Sequence, residues 1–165
     1  MPETAREEVF RLFNEIGIIA QLSRALLEAR LPPGFLLPHF TVLNHLVRVA
    51  DGRTPLELAR AFQVPKTSMT HTLGGLARAE LVDIRANPRD GRSKRVFITA
   101  AGRSFLANAI AALGPDLDRI AAAQPPGSLR DVLPTLETMR KFLDEDRDDQ
   151  RAPPPPHSAE DGGGV

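Results

Sequence analysis

The stretch TPLELARAFQVPKTSMTHTLGGL, residues 54–76, decides the fold of this 165-residue chain. It opens with Thr54-Pro55-Leu56-Glu57, which combines a capping hydroxyl, a proline in the first helical turn and a glutamate three residues after the cap. A short helix is therefore expected to start there and to end near Phe62. The three residues 63–65 lead into another helix, and two helices joined by so tight a turn predict a helix-turn-helix unit.

The second helix of this unit has one apolar and one polar face. At 100° per residue, Met69, Leu73 and Leu76 fall within about 60° of one another and form the expected buried stripe. The side chains that point away from this stripe or flank the helix start are polar or small: Lys66, Thr67, Ser68, Thr70, His71 and Gly74. Side chains near the start of such a helix reach base edges in a DNA groove, whereas the alternative is an ordinary solvated face.

A basic hairpin is predicted directly after this helix. Residues 81–86 and 95–99 show the alternating pattern of two short strands. Between them, NPRDGRSK, residues 87–94, is rich in turn-forming and basic residues and is expected to form the hairpin tip.

Longer helices are predicted on both sides of this region. Apolar residues recur every three or four positions over residues 3–30, and a second helix over 37–50 is expected to turn inward Phe40, Leu43, Leu46 and Val47. Thr99 can cap a helix that ends near residue 123, and a last helix covers residues 128–144. The fold class is therefore mainly α with a small β-hairpin wing and six helices.

The net charge of zero hides a basic centre. Residues 60–105 carry nine Lys or Arg and three acids, whereas residues 137–165 carry eight acids and four bases. A concentrated basic block predicts a phosphate-binding surface, although a solvated basic face would give the same count. Residues 148–165 also hold four consecutive prolines and three consecutive glycines, so we expect a disordered tail there.

The composition excludes several other classes of protein. There is no cysteine, which removes disulfides and thiolate metal sites, and no apolar run long enough for a bilayer span or a signal peptide, so we expect a cytoplasmic protein without a membrane partner. His39 and His45 are six residues apart, about 240° around a helix, and could not hold one metal ion together. No pattern places a nucleophile beside a base, so neither an enzyme nor a cofactor is expected.

The chain resembles the multiple-antibiotic-resistance regulator (MarR) family over roughly residues 10–143. The likeness lies in VPKTSMT (residues 64–70), in residues 76–82, and in NPRDGRSKR (residues 87–95) followed by Ile98-Thr99 and Gly102. Glu80 departs from the family pattern because it stands where glycine usually ends the recognition helix. We therefore expect Glu80 to take a left-handed backbone conformation that is unfavourable for a residue with a Cβ.

The resemblance implies a winged helix-turn-helix fold and a division of labour along the chain. Residues 1–34 are expected to form an N-terminal dimerisation helix, 35–102 the DNA-binding lobe and 103–147 the C-terminal dimerisation helices. The expected activity is that of a homodimeric transcription regulator, a repressor that binds a pseudo-palindromic operator of roughly 20 base pairs. The alternative is a winged-helix module that binds protein and no DNA.

Two groups of DNA contacts follow from the motifs together with the resemblance. From the recognition helix we expect contacts by Lys66, Thr67, Ser68, Thr70 and His71. From the wing we expect contributions by Arg89, Asp90, Arg92, Lys94 and Arg95, with Arg92 in the minor groove. Asp90 would orient the Arg92 guanidinium or brace the hairpin, because a carboxylate is repelled by phosphate.

The resemblance also implies a pocket for a small-molecule effector between the first two helices and the DNA-binding lobe. Phe13, Phe35 and His39 are the candidate lining residues, and ordinary core packing is the alternative for each of them. The ligand itself cannot be identified from the sequence.

Overall fold

Six helices and one two-stranded antiparallel sheet make up residues 3–151, the part of the chain that this computed structural model describes. In chain order they are α1 (Glu3–Glu28), α2 (Leu37–Arg48), α3 (Pro55–Ala61), α4 (Lys66–Arg78), β1 (Val82–Asn87), β2 (Asp90–Ile98), α5 (Ala100–Ala122) and α6 (Ser128–Arg151). The predicted mainly helical fold with a hairpin wing is confirmed.

Local hydrogen bonds fix both ends of the helix-turn-helix unit. The Thr54 hydroxyl accepts from the backbone N–H of Glu57 at 3.2 Å, and the Glu57 carboxylate accepts from the backbone N–H of Thr54 at 2.7 Å, as the capping pattern predicts. Beyond the last turns of α3 and α4, Gln63 and Glu80 take φ values of 53° and 57°. The expected left-handed conformation of Glu80 is therefore confirmed, and it lets the N–H of Leu81 bond to the carbonyl of Leu76 at 2.9 Å.

The main core lies where α2, α3 and α4 meet the sheet. Its largest fully buried side chains are Val42, Leu43, Leu46, Leu58, Leu76 and Val96. The prediction that Val47 faces inward is wrong, because Val47 is 43% exposed, whereas Val42 is 1% exposed. Leu43 and Leu46 are buried as predicted, so the buried face of α2 is only rotated toward Val42.

The sheet is longer on its second strand than predicted. β2 begins at Asp90, and Pro88 and Arg89 form a two-residue turn. Ala86 pairs with Lys94 but the next residue, Asn87, pairs with Asp90, so residues 91–93 bulge out of the ladder. An isolated bridge between Arg53 and Val96 joins the segment before α3 to the sheet.

The junction between α4, β1 and α5 depends on the Thr99–Gly102 motif. Thr99 donates its hydroxyl proton to the carbonyl of Glu80 at 2.8 Å and accepts from the N–H of Gly102 at 2.9 Å, so it caps α5 as predicted. A Cβ on Gly102 would collide with the carbonyl oxygen of Leu81. The motif therefore ties the start of α5 directly to the end of the recognition helix.

Helix α1 contributes little to this core. Leu27 in its last turn and Leu31 just beyond it are buried with Ala109 of α5, and Arg30 forms a 2.7 Å ion pair with the buried carboxylate of Asp116. Most apolar side chains earlier in α1 are exposed: Val9, Phe10, Phe13, Ile16, Ile18, Ile19 and Leu22.

The described chain groups into two compact units that divide inside α5, between Asp116 and Leu117. Helix α6 in the second unit extends to Arg151, past the predicted end at residue 144, and so includes the first residues of the predicted tail. The rest of that tail, residues 152–165, lies outside the described residues. No described helix is both long and apolar enough for a membrane span, and no described cluster of His and acidic side chains could hold a metal ion.

Candidate nucleic-acid interface

The recognition helix α4 separates its apolar and polar residues as predicted. Met69, Leu73 and Leu76 are 3%, 2% and 0% exposed. Every predicted contact residue of this helix is exposed: Lys66, Thr67, Ser68, Thr70 and His71. The buried stripe fixes the rotation of the helix about its axis. The polar side chains therefore face solvent, and no packing contacts of their own are needed to hold them there.

The start of α4 has no side-chain cap. Its N-cap is Pro65, whose ring carries no hydrogen-bond acceptor, and the cap makes no side-chain hydrogen bond. The backbone N–H groups of the first turn are therefore left to water or to an external acceptor. Together with the Lys66 ammonium group, they suit a phosphate oxygen.

Polar contacts within the wing hold its tip. The Asn87 amide donates to the Ser93 hydroxyl at 2.8 Å, and the Asn87 side-chain oxygen accepts from the N–H of Arg89 at 3.1 Å. Asp90 Oδ1 accepts from the backbone N–H of Arg92 at 3.0 Å. Of the two predicted roles for Asp90, this geometry corresponds to bracing the hairpin, because the bond reaches the backbone of Arg92 and not its guanidinium.

The charged side chains of the wing are not equivalent. Arg89, Arg92 and Lys94 are exposed, and Arg92 lies in the bulge formed by residues 91–93. The half-buried Arg95 instead donates from Nε to the carbonyl of Gly52 at 2.6 Å, and its guanidinium carbon lies 5.5 Å from the Phe97 ring centroid. Arg95 therefore joins the base of the wing to the loop after α2.

Asp51 is a positioning residue that sequence reasoning missed. Its Oδ1 accepts from the N–H groups of Gly52 and Ile98, each at 3.0 Å, and its Oδ2 lies 3.4 Å from Nη2 of Arg103. In the sequence, Asp51-Gly52 only marks the end of a helix. The contact to Ile98 spans 47 residues and gives no local signal.

His39 lies between the start of α2 and the recognition helix. Its Nδ1 accepts from the N–H of Leu36 at 3.1 Å, and burial lowers the pKa of its imidazole. A Cβ added to Gly75 of α4 would stand 2.9 Å from Nε2 of His39. The absence of a side chain at Gly75 thus allows α2 and α4 to approach each other.

The candidate effector residues are only partly brought together. The Phe35 ring is 5.5 Å from the His39 ring and 4.7 Å from the Phe105 ring, both measured between centroids, whereas the ring contacts of the described residues do not include Phe13. An apolar cleft of about 270 Å³ lies elsewhere, between α2 and α4, and is lined by Leu37, Pro38, Thr41, Val42, Phe62, Val64, Ser68, Met69 and Thr72.

A helix-turn-helix unit with an exposed polar recognition helix, followed by a basic β-hairpin in the same compact unit, defines a winged helix-turn-helix protein. Residues 34–93 match the model of the MarR family. A MarR variant from E. coli, solved in complex with operator DNA, is 27% identical, with a TM-score of 0.64, over 82% of this chain and 95% of that one.

Two more distant structures share the fold. A MarR transcriptional regulator from Methanosarcina mazei Go1 is 18% identical, with a TM-score of 0.73, over 81% of this chain and 96% of that one. BpsR from Bordetella bronchiseptica, whose DNA binding is regulated by 6-hydroxynicotinic acid, is 15% identical, with a TM-score of 0.66, over 79% of this chain and 98% of that one. The chain is therefore similar to MarR-family winged-helix transcription regulators, in sequence over residues 34–93 and in fold over most of its described length.

Proposed function

We propose that the chain is a homodimeric, sequence-specific repressor whose DNA binding is relieved by a small-molecule effector. The observation that carries this proposal is the pairing of two exposed surfaces in one compact unit. One is the polar face of α4, held outward by its buried stripe, and the other is the basic wing. A module that binds only protein would have no need to concentrate the positive charge of the chain on these two elements.

The exposed side chains of these surfaces divide by the chemistry that each can offer to DNA. Thr67, Ser68, Thr70 and His71 contact base edges in the major groove, since hydroxyl and imidazole groups can hydrogen-bond there and a threonine methyl group can contact thymine. Lys66 and the uncapped N–H groups of α4 bind phosphate.

On the wing, Arg92 enters the minor groove, where narrow A·T-rich segments concentrate negative potential. Arg89 and Lys94 contact phosphate. Asp90 and Arg95 position the wing and do not contact DNA themselves. Asp90 accepts a hydrogen bond from the backbone of Arg92, and Arg95 binds the loop after α2.

Dimerisation is supported by apolar surface that each terminal helix leaves uncovered in a single chain. On α1, Phe10 is 74% exposed and Leu22 is 66% exposed. On α6, Leu129, Val132, Leu133, Phe142 and Leu143 are exposed. Exposed apolar residues that recur along one helix are typical of protein–protein interfaces, so we assign both helices to the dimer contact.

A two-fold dimer presents two copies of α4 and therefore needs two major grooves on one face of the duplex. These grooves recur every 10–10.5 base pairs, and the outward wings extend the contact to roughly 20 base pairs. Such an operator can overlap a promoter and block it. The effector would act by holding the two lobes at an unsuitable spacing, and the regulation of BpsR by 6-hydroxynicotinic acid supports an effector-controlled mechanism.

The proposal is tested by selecting bound fragments from genomic DNA, footprinting the best fragment and sedimenting the intact chain. A protected region of about 20 base pairs with two-fold sequence symmetry is expected, together with a dimer in sedimentation. Protection of a single half-site, or a monomer that binds DNA, would contradict a dimeric repressor. Retention of a protein partner without any selected DNA would favour the protein-interaction alternative.

The wing contact is tested by Arg92→Ala on the same operator. Loss of one contact of the phosphate type should weaken binding and reduce the slope of log affinity against log salt by about 0.9. Arg48→Ala is the matched control, because Arg48 is exposed at the end of α2, carries the same charge and lies outside both the proposed DNA contacts and the helices assigned to the dimer contact. An equal reduction of slope in both variants would mean that the effect comes from overall charge and not from the wing.

A further inference from the structure

The Thr70 hydroxyl group on the recognition helix is already a hydrogen-bond donor within the protein. Thr70 Oγ1 lies 2.8 Å from the backbone carbonyl oxygen of Lys66, one turn earlier. A carbonyl oxygen cannot donate, so the Thr70 hydroxyl must be the donor in this bond. Its only proton is therefore already used inside the helix, although the residue itself is exposed.

The same bond also orients the two branches of the side chain. With Oγ1 turned back to the helix backbone, the Cγ2 methyl group is the branch of this exposed side chain that makes no hydrogen bond. Among the side-chain hydrogen bonds of the described residues, Thr72 makes an equivalent bond to Ser68 at 3.1 Å, whereas none involves the hydroxyl of Thr67. Thr67 can therefore donate to a base, and Thr70 cannot do so without breaking its bond to Lys66.

The major-groove edges of the four bases respond differently to such a group. Guanine presents two acceptors there and needs a donor, whereas thymine presents a C5 methyl group beside its O4 acceptor. A side chain with a committed proton cannot donate to guanine, whereas its exposed methyl group can pack against the C5 methyl group of thymine. On the basis of the proposed function, we propose that Thr70 specifies a thymine in each half-site by contact between its Cγ2 methyl group and the C5 methyl group of the base.

The contact can be tested by removing either methyl group separately. Deoxyuridine is thymidine without the C5 methyl group, so each thymine of a selected half-site is replaced in turn and the affinity of the intact protein is measured. At one thymine we expect the wild-type affinity to fall about four-fold, as for the loss of one buried methyl-sized group. In Thr70→Ser, which lacks the protein methyl group, the same replacement should have no further effect.

Two variants show whether the sensitivity to deoxyuridine comes from the methyl group of Thr70 itself. Thr70→Val keeps a methyl group at this branch but removes the hydroxyl, so it should retain the sensitivity to deoxyuridine. Thr72→Ser removes a methyl group from a threonine that makes the equivalent backbone bond but is not a proposed DNA contact, so it should leave that sensitivity unchanged. Thermal melting of each variant checks that the fold is intact before the affinities are compared.

Selection of bound DNA and the deoxyuridine replacements give separate results. If no DNA sequence is selected at all, the proposed function fails. If a specific operator binds but no thymine shows coupling to Thr70→Ser, or if Thr70→Val abolishes the sensitivity, Thr70 does not act through its methyl group and the inference is overturned.

Discussion

The recognition helix and the wing reach the same proposed ligand but are held in place by different forces. Helix α4 is positioned by the burial of Met69, Leu73 and Leu76. The tip of the wing is positioned by hydrogen bonds of Asn87 and Asp90 near the surface. A buried aliphatic side chain contributes about 1.5–3 kcal/mol, whereas a typical hydrogen bond contributes about 0.5–1.5 kcal/mol net. The helix is therefore the fixed part of the interface, and the wing tip is the part that single substitutions can move without unfolding the protein.

The largest effect is expected where the helix is anchored. Leu73→Ala should lower the free energy of unfolding by about 2–5 kcal/mol, because it removes a side chain that is 2% exposed and leaves a cavity in a close-packed core. Urea denaturation followed by circular dichroism measures the change.

Leu56→Ala on α3 is the matched control for this substitution. Leu56 is 45% exposed, so the same chemical change should cost far less. If the two variants were destabilised equally, burial of the apolar stripe would not be what holds α4, and the contrast with the wing would disappear.

The anchored helix is also what the sequence predicted best. Met69, Leu73 and Leu76 follow a helical period that only one rotation of α4 can bury, and the bonds between Thr54 and Glu57 span three residues. Such signals are local, so they can be recognised without knowledge of the remaining chain. The conformation of Glu80 was predictable for a different reason, since the resemblance to the MarR family places Glu80 where glycine usually ends the recognition helix.

The wing was predicted less completely because its geometry depends on contacts that are distant in sequence or particular to this tip. Strand alternation located both strands, but the tip was expected to span residues 87–94, whereas β2 starts at Asp90 and bulges after it. No periodic pattern encodes that bulge. The anchors at the base of the wing, Asp51 to Ile98 and Arg95 to Gly52, join residues more than 40 positions apart.

A smaller effect, on binding and not on folding, is expected from Asp90. Asp90→Ala removes the acceptor that holds the N–H of Arg92, whereas Asp90→Asn keeps an acceptor and removes only the charge. The alanine variant should bind the operator more weakly than the asparagine variant by about 0.5–1.5 kcal/mol, the net value of one hydrogen bond. Fluorescence anisotropy with labelled operator measures both affinities.

Comparing these two variants with each other, and not with the wild type, removes the effect of deleting a negative charge near DNA. The free energy of unfolding of both variants should lie within about 1 kcal/mol of the wild-type value, since surface substitutions of this kind rarely cost more. Equal affinities for the two variants would show that Asp90 does not position Arg92, and the wing would then be held by Asn87 alone or by its strand pairing.

The two adjacent glycines of α4, Gly74 and Gly75, have different surroundings. A glycine within a helix allows either a DNA backbone or another helix to approach closely. At Gly75 the structure favours crowding, because an added Cβ would stand 2.9 Å from Nε2 of His39. That imidazole is held by the N–H of Leu36, so it cannot move away without losing a hydrogen bond.

The smallest effect is expected at Gly74. An added Cβ there would meet only Nη1 of Arg78, at 3.5 Å, which is an ordinary contact within the same helix. Gly74→Ala should therefore raise the free energy of unfolding by about 0.4–1 kcal/mol, because alanine restricts the unfolded chain and favours the helix. Gly74 lies on the polar face with Thr67 and Thr70, so the added methyl group should also weaken operator binding by separating the helix backbone from the DNA. Gly75→Ala is the internal control: its gain in helix propensity is opposed by the contact with His39, and it should be stabilised less. A Gly74→Ala variant that gains stability and binds operator as tightly as the wild type would show that the DNA does not approach the backbone of α4 at this turn.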